Sequence, residues 1–143
     1  MDKDRYRMCF GCGPDNPHGL RLDIRGQADG SWRAEFVPED YHCGWPGVVH
    51  GGVLAAVLDE VMSYIIFGKG QIAVTARMAV LFKRPAVSGE HLVVRASPTR
   101  ETRRIVDARG EIVRDDGTLV ATSEARFLIL ADEQMKSLGR HPG

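Results

Sequence analysis

The sequence predicts a two-layer α+β domain in which one long helix packs on a mostly antiparallel sheet of about six strands. Residues 52–67 are nearly all apolar, which is typical of a buried helix rather than a surface helix. On both sides of this run, segments in which apolar and polar residues alternate are separated by Gly- and Pro-containing turns. The expected order of elements is β-β-α-β-β-β-β.

The chain before the helix predicts an irregular lead-in followed by a hairpin. Residues 1–19 are rich in Gly, Pro and Asn towards their end, which is typical of irregular structure. Residues 20–25 and 32–36 each alternate between apolar and polar side chains, so we expect two half-buried paired strands. Residues 41–47 then form a loop that leads to the start of the helix.

The chain after the helix predicts four more strands. In residues 71–84, the even-numbered and the odd-numbered side chains form two faces that are both largely apolar, as in a strand covered on both sides. Residues 89–100, 105–114 and 119–130 follow, and an Asp-Asp-Gly turn joins the last two. The polar residues from 131 onwards form a tail.

Length and composition exclude several classes of protein. The 143 residues fit one domain, spanning 1–143. Nineteen basic and nineteen acidic side chains give no net charge, which argues against a nucleic acid partner. The apolar helix is too short and too charged to cross a membrane. Three cysteines, a charged start and no secretory signal indicate a reduced, cytoplasmic protein.

Cys9 and Cys12 have the spacing of a pair of zinc ligands. A zinc site would need His18, His42 or Cys43 to complete it, and the sequence has neither a second Cys-x-x-Cys nor a His-x-x-x-His pattern. The context is also not the strand-to-helix turn of a thioredoxin-like redox pair. We therefore expect small buried cysteines, no metal and no cofactor.

Asp59 and Glu60 interrupt the apolar helix, with no Lys or Arg within one turn of Asp59. An ionised carboxylate in such a place costs several kcal/mol or so unless it is paired or hydrogen-bonded. Asp59 is therefore a candidate catalytic group. The structural alternative is a carboxylate satisfied by backbone N–H groups or by a tyrosine. Glu60 points about 100° away, so we interpret it as an interface or pairing residue.

The sequence His-Gly-Gly at residues 50–52 marks the expected start of the helix. The first turn of a helix carries unpaired N–H groups and the positive end of its dipole, and glycines allow a ligand to approach them. These properties suit an oxyanion hole. Together with Asp59 further along the helix, they indicate acyl-transfer chemistry, in which a carbonyl is polarised and then attacked by a carboxylate or by activated water.

Residues 47–52, with the pattern Gly-x-x-His-Gly-Gly, and the following Asp59 resemble the hotdog-fold thioesterases, specifically the PaaI-like and 4-hydroxybenzoyl-CoA types. Residues 9–20 (CFGCGPDNPHGL) resemble a subgroup of that family. The resemblance extends from about residue 9 to about residue 130. It implies a curved sheet around a central helix, homodimers or homotetramers formed through the sheets, and hydrolysis of acyl-CoA to a carboxylate and free CoA without a cofactor.

The resemblance also implies roles for individual residues. Asp59 is the nucleophile or the general base. The N–H of Gly51 polarises the thioester carbonyl with Gly52 beside it, and His50 shapes that end of the site or only caps the helix. Thr75 corresponds to a Ser or Thr that comes from the partner subunit and assists the water or the carboxylate. Its alternative interpretation is an ordinary strand residue.

Other positions concern the substrate. Arg77, Lys83 and Arg84 are candidates to hold the phosphates of CoA, or they form a solvated face with salt bridges. Trp45 either lines an acyl pocket or packs over the helix end. One position departs from the family pattern, because Gly44 stands where several relatives carry Asn or Gln six residues before the His.

Three other functions compete with an acyl-CoA thioesterase. One is a non-catalytic protein of the same fold that binds acyl-CoA or has a regulatory role, although a buried Asp59 argues against it. Another is a hydratase or dehydratase, which would call for an Asp/His pair with a different spacing. The third is a small zinc protein, which metal analysis of the purified protein would test. The sequence leaves the acyl group of the substrate open.

Overall fold

A computed structural model describes residues 3–138. One six-stranded sheet with every neighbouring pair antiparallel lies against one long helix, and its strand order is β1-β2-β4-β5-β6-β3. This confirms the predicted α+β class and order. The elements are β1 (Arg25–Gly26), β2 (Trp32–Phe36), α1 (Gly51–Phe67), β3 (Ala73–Phe82), β4 (Leu92–Glu101), β5 (Ile105–Arg114), β6 (Leu119–Ile129) and α2 (Asp132–Leu138).

Helix α1 is the centre of the hydrophobic core. Its fully buried side chains pack with those of β4, β5 and β6, and the main contributors are Val57, Leu58, Val61, Met62, Leu92, Val94, Ile112, Val120 and Phe127. Gly110 on β5 allows a close approach of helix and sheet, because a Cβ there would lie 3.1 Å from Cδ2 of Leu58. The apolar run therefore predicts α1 correctly, but Asp59 and Glu60 lie on a side of it that stays partly exposed.

The predicted first strand, residues 20–25, is wrong in extent. Only Arg25–Gly26 pairs with β2. The N–H groups of Leu20 and Leu22 donate instead to carbonyls of the preceding segment, residues 3–19, at 2.8 and 2.9 Å. We call this segment the N-terminal arm. Arg21 adopts a φ of 52°. The predicted alternation of burial is nevertheless present, because an extended segment held by other backbone groups shows the same pattern as a strand.

The predicted faces of β3 are also wrong at one point. The pairing with β6 shifts between Thr75 and Arg77, so Ala76 is the extra residue of a β-bulge. Before the bulge, odd-numbered residues such as Thr75 face α1, and after it even-numbered residues such as Met78 and Val80 do so. The strand is an edge of the sheet and is largely exposed on this single chain, so the predicted cover on both faces is absent among residues 3–138.

The predicted polar tail is partly helical. Residues Asp132–Leu138 form α2, none of whose residues is buried, and the side chain of Gln134 accepts a hydrogen bond from the N–H of Ala131 at 2.9 Å. Residues 139–143, also assigned to the tail, lie outside the described residues, as do residues 1 and 2 of the lead-in. In the described part of the chain, neither helix has the length and apolarity needed to cross a bilayer.

Candidate active site

Asp59 and Thr75 form a hydrogen-bonded pair. Thr75 Oγ1 donates to Asp59 Oδ1 at 2.8 Å. Burial raises the pKa of the Asp59 carboxyl above its ordinary value, while the hydrogen bond from Thr75 acts in the opposite direction by stabilising the charged form. Both residues belong to the same chain, whereas the resemblance implies a hydroxyl from the partner subunit. The β-bulge reconciles this contact with the rest of β3, because odd-numbered side chains face α1 before Ala76 and even-numbered side chains do so after it.

The start of α1 is capped by His50. Its Nδ1 accepts a hydrogen bond from the N–H of Gly52 at 2.9 Å, and its carbonyl accepts one from Val53. The N–H of Gly52, which we expect beside the carbonyl of a substrate, is therefore engaged in the helix cap. The N–H of Gly51 has no acceptor within residues 3–138 and remains available as an oxyanion donor.

Replacing His50 with Ala is expected to destabilise the protein by about 0.5–2 kcal/mol, because the cap of α1 is lost. His50→Asn restores an acceptor that favours this position, so its stability should return towards that of the wild type. Urea unfolding of the three proteins measures both changes. If the Asn variant is stable but lacks a thioesterase activity that the wild type shows, as the resemblance implies, the imidazole has a chemical role beyond capping.

Gly44 packs directly against this cap. A Cβ at Gly44 would lie 3.1 Å from Cδ2 of His50, which is tighter than ordinary van der Waals contact. An Asn or Gln at this position would therefore have to displace the His50 ring. Glycine at position 44, where several relatives carry Asn or Gln, therefore leaves room for the ring of the capping His50.

A cavity of about 270 Å³ opens at the N-terminus of α1. Gly51, Phe82, Lys83 and Arg84 are among the residues that line it, so two of the three predicted phosphate ligands lie at the predicted oxyanion donor. Arg84 is anchored there, because its Nη1 donates to a carbonyl on β6 at 3.1 Å.

The other two predicted substrate residues lie elsewhere. Arg77 follows the bulge and is paired with Arg126 on the face of the sheet that points away from α1. Trp45 is 79% exposed in its loop and is not among the residues that line the cavity at the helix start. Neither residue is brought together with Asp59 or Gly51 in this chain.

Sequence reasoning missed the environment of Glu60. The carboxylate lies 3.4 Å from Sγ of Cys9, and burial raises the pKa of Glu60 to about 7. The only available signal was a second acid on an apolar helix, because nothing in the sequence indicates that the N-terminal arm folds back onto α1.

The Thioesterase superfamily model matches residues 46–121, a range that contains the helix start, Asp59 and Thr75. This chain belongs to the thioesterase superfamily. A phenylacetic acid degradation-related protein from Ralstonia eutropha is 30% identical, with 87% of this chain and 97% of that one covered and a TM-score of 0.72. A second thioesterase superfamily protein is 29% identical over 85% of this chain, with a TM-score of 0.79.

Two more distant structures of the superfamily show the hotdog fold alone. Escherichia coli PaaI is 21% identical over 78% of this chain and 81% of its own, with a TM-score of 0.73. A hypothetical thioesterase from Streptococcus pneumoniae, solved with coenzyme A, is 15% identical over 77% and 86%, with a TM-score of 0.71. These matches confirm the predicted PaaI-like hotdog fold.

Some relatives are considerably longer than this chain. An uncharacterized protein of Schizosaccharomyces pombe is 26% identical over 85 residues, which are 58% of this chain and 49% of that protein. The thioesterase superfamily member at 29% identity is covered over 60% of its length. The chain thus spans about half of the curated relative that it matches.

Proposed function

We propose that this protein is an acyl-CoA thioesterase, which converts acyl-CoA and water to a carboxylate and free CoA. The observation that carries the proposal is the carboxylate of Asp59, held by Thr75 on the central helix of a thioesterase-superfamily chain. Coenzyme A in the S. pneumoniae neighbour supports the choice of CoA esters. That neighbour has also been solved as an Asp→Ala and as a Thr→Ala variant, at positions sixteen residues apart, like Asp59 and Thr75.

In the proposed reaction, the thioester carbonyl lies on the N–H of Gly51, which stabilises the negative charge that develops on its oxygen. Asp59 attacks the carbonyl carbon and expels CoA as a thiolate, and water then opens the mixed anhydride. The alternative is that Asp59 removes a proton from water, which attacks directly. Under either mechanism Asp59 must be ionised at the start, and Lys83 and Arg84 bind the phosphates of CoA.

One chain does not hold all of these groups at one point. Gly51 and Asp59 lie about 12 Å apart along α1 at 1.5 Å per residue, whereas the nucleophile and the oxyanion donor must both lie about 3 Å from the reacting atoms. We therefore propose that a second copy of the chain completes each site. The residues of β3 indicate how, because Thr75 contacts Asp59 near one end of this strand and Phe82 lies beside Gly51 at the other.

Antiparallel pairing of two β3 edges brings opposite ends of the two strands together. The Asp59 end of one chain then meets the Gly51 end of its partner, giving two equivalent sites. Exposed apolar side chains along β3 support this interface, with Val74 at 45%, Leu81 at 60% and Phe82 at 53% exposure. Light scattering coupled to gel filtration should give a dimer or a dimer of dimers, and a stable monomer with full turnover would contradict this arrangement.

Thiol release from a panel of short, medium, long and aryl acyl-CoAs tests the proposed activity. We expect one class of acyl group to be hydrolysed with saturation kinetics, and the corresponding oxygen ester to be a control for selectivity. If no acyl-CoA is turned over but calorimetry detects its binding, the protein is a non-catalytic acyl-CoA-binding member of the fold. If neither turnover nor binding is found, the proposed substrate class is wrong.

Replacing Thr75 with Ala is expected to move the acidic limb of the pH profile of kcat/KM to higher pH. The hydrogen bond from Thr75 lowers the pKa of Asp59, so its loss raises that pKa and a higher pH is needed to ionise the carboxyl. Turnover at the optimum should fall about tenfold, the equivalent of one hydrogen bond of about 1–1.5 kcal/mol. Thr75→Ser keeps the hydroxyl and should restore the limb, and an unshifted limb in Thr75→Ala would exclude this role.

A further inference from the structure

The N-terminal arm and helix α1 bring three metal-binding side chains together. Cys9 and Cys12 come from the arm and Glu60 comes from the helix, and their sulfur and oxygen atoms all lie within 4.8 Å of one another. Sγ of Cys9 is 3.4 Å from Oε1 of Glu60. A tetrahedral zinc site with bonds of about 2.3 Å to sulfur and 2.0–2.2 Å to oxygen spaces its ligand atoms by about 3.5–3.8 Å. The separation of 3.4 Å between Cys9 and Glu60 is close to this spacing, and the other two pairs lie within 4.8 Å.

The backbone between the two cysteines is shaped around the cluster. The N–H of Gly13 donates to the carbonyl of Cys9 at 2.9 Å, which closes a tight turn between the two cysteines. This turn presents both sulfurs to Glu60, and the three ligand atoms lie within 4.8 Å of one another.

Two glycines of the turn are required by close approach. A Cβ at Gly11 would lie 2.3 Å from Cδ of Glu60, and one at Gly13 would lie 2.4 Å from the backbone of Arg7 and Cys9. A side chain at Gly11 would push the arm away from α1, and one at Gly13 would clash with the backbone of the arm itself. The Cys-x-Gly-Cys-Gly sequence therefore fits a turn that is pressed directly onto the Glu60 carboxylate.

Glu60 has no positively charged partner among the side chains that the structure describes. No Lys, Arg or His of residues 4–138 forms an ion pair with it. Two sulfurs and a partly buried carboxylate thus face one another without a protein cation in the described region. A divalent ion is the partner that such a set of ligands accepts, and two thiolates favour zinc over magnesium or calcium.

We propose that Cys9, Cys12 and Glu60 bind a thiophilic divalent metal ion, zinc by preference. The thiols release their protons to solvent as the two metal–sulfur bonds form. His18, His42 and Cys43, the additional ligands considered from the sequence, are not part of the cluster. Glu60 points about 100° away from Asp59 around the helix, so the ion ties the arm to α1 and takes no part in thioester hydrolysis.

The segment that directly follows the N-terminal arm contributes to the core, and the ion would hold this segment through the arm. Leu20, Leu22 and Ile24 follow the turn and are buried, and the first two are hydrogen-bonded back to the arm through their N–H groups. Loss of the ion should therefore release a part of the core as well as the turn. This predicts a measurable fall in Tm on metal removal.

The test uses the full chain, purified under reducing conditions without a metal-affinity step. Elemental analysis should give about one equivalent of metal per chain, and Co²⁺ added to chelator-stripped protein should produce sulfur-to-cobalt charge-transfer bands. Cys43→Ser is the matched control, because Cys43 lies outside the cluster, and it should keep both signals. Cys12→Ser should lose them, and Glu60→Gln should bind Co²⁺ at least about tenfold more weakly.

A second measurement covers the case in which Cys12→Ser fails to fold. Thiol modification of the wild-type and Cys43→Ser proteins should release the metal to a colorimetric chelator in proportion to the modified cysteines. The proposal is overturned if the reduced wild-type protein takes up neither Zn²⁺ nor Co²⁺. It is also overturned if the cobalt bands persist in folded Cys12→Ser, or if Cys9 and Cys12 are found as a disulfide that chelators and metals leave unchanged.

Discussion

Asp59→Asn is expected to lower kcat for acyl-CoA hydrolysis by at least about 100-fold. The substitution keeps the shape of the side chain and leaves an oxygen to accept the hydrogen bond from Thr75. It removes the negative charge that both proposed mechanisms need. Glu124→Gln, which neutralises an exposed carboxylate on β6, is the matched control and should retain wild-type turnover.

Thermal unfolding shows whether the lower kcat of Asp59→Asn comes from the missing charge or from a less stable fold. Because burial raises the pKa of Asp59 in the folded state, its ionisation destabilises the fold, and the penalty is present at pH values above that raised pKa. Asp59→Asn should therefore raise the Tm at pH 8 by about 3 °C. The difference should disappear as the pH falls towards the ordinary pKa of Asp. An Asn variant that is as active as the wild type would make the carboxylate structural and favour the acyl-CoA-binding alternative.

Leu58→Ala is expected to give the largest loss of stability, about 2–5 kcal/mol. Leu58 is fully buried in the middle of α1, one residue before Asp59, and contacts the β5 backbone at Gly110. The truncation leaves a cavity that the closely packed sheet cannot collapse into. Urea unfolding measures the change, and Leu128→Ala, at a side chain that is 41% exposed, is the control with the same substitution and should cost less than about 1 kcal/mol.

A double-mutant cycle assigns this loss to the contact between helix and sheet. Gly110→Ala alone places a methyl group 3.1 Å from Leu58 and 3.3 Å from Met62, which should cost about 1–3 kcal/mol by overpacking. In Leu58→Ala the same methyl group enters space that the truncation has vacated. The double variant should therefore be at least about 0.5 kcal/mol more stable than the sum of the two single changes predicts. Strict additivity would show that the two residues do not share this space.

The sequence predicts the fold well because its strongest signals are long and regular. A mostly apolar run of sixteen residues followed by glycines specifies α1, and the limits of β3 to β6 agree with the prediction to within three residues. Short segments are less informative. Residues 20–25 alternate like a strand, but their backbone groups bond to the arm, and alternation of side chains reports burial rather than the hydrogen-bond partner.

The sequence suggests the residues of the candidate site, but it predicts their contacts only in part. A charge on an apolar helix makes Asp59 a candidate, because its cost is visible in the sequence. The sequence does not show the β-bulge that places Thr75 and Met78 on the same face of β3, nor the ring orientation of His50 that engages the Gly52 N–H. The cluster around Glu60 depends on a fold-back of the arm, for which the chain carries no periodic signal.

The bulge at Ala76 makes β3 one residue longer than the length of β6 that it pairs with. Deleting Ala76 would leave a regular strand in which Thr75 and Met78 still face α1, because the residues on either side of the extra position are already in phase with each other. The bulge is therefore not needed to make both side chains face α1. What it adds is local twist and a displacement of Thr75 relative to the rest of the strand. Deleting Ala76 would therefore change the distance of the Thr75 hydroxyl from Asp59 without turning it away from α1. A substitution of Thr75 itself cannot change the distance alone.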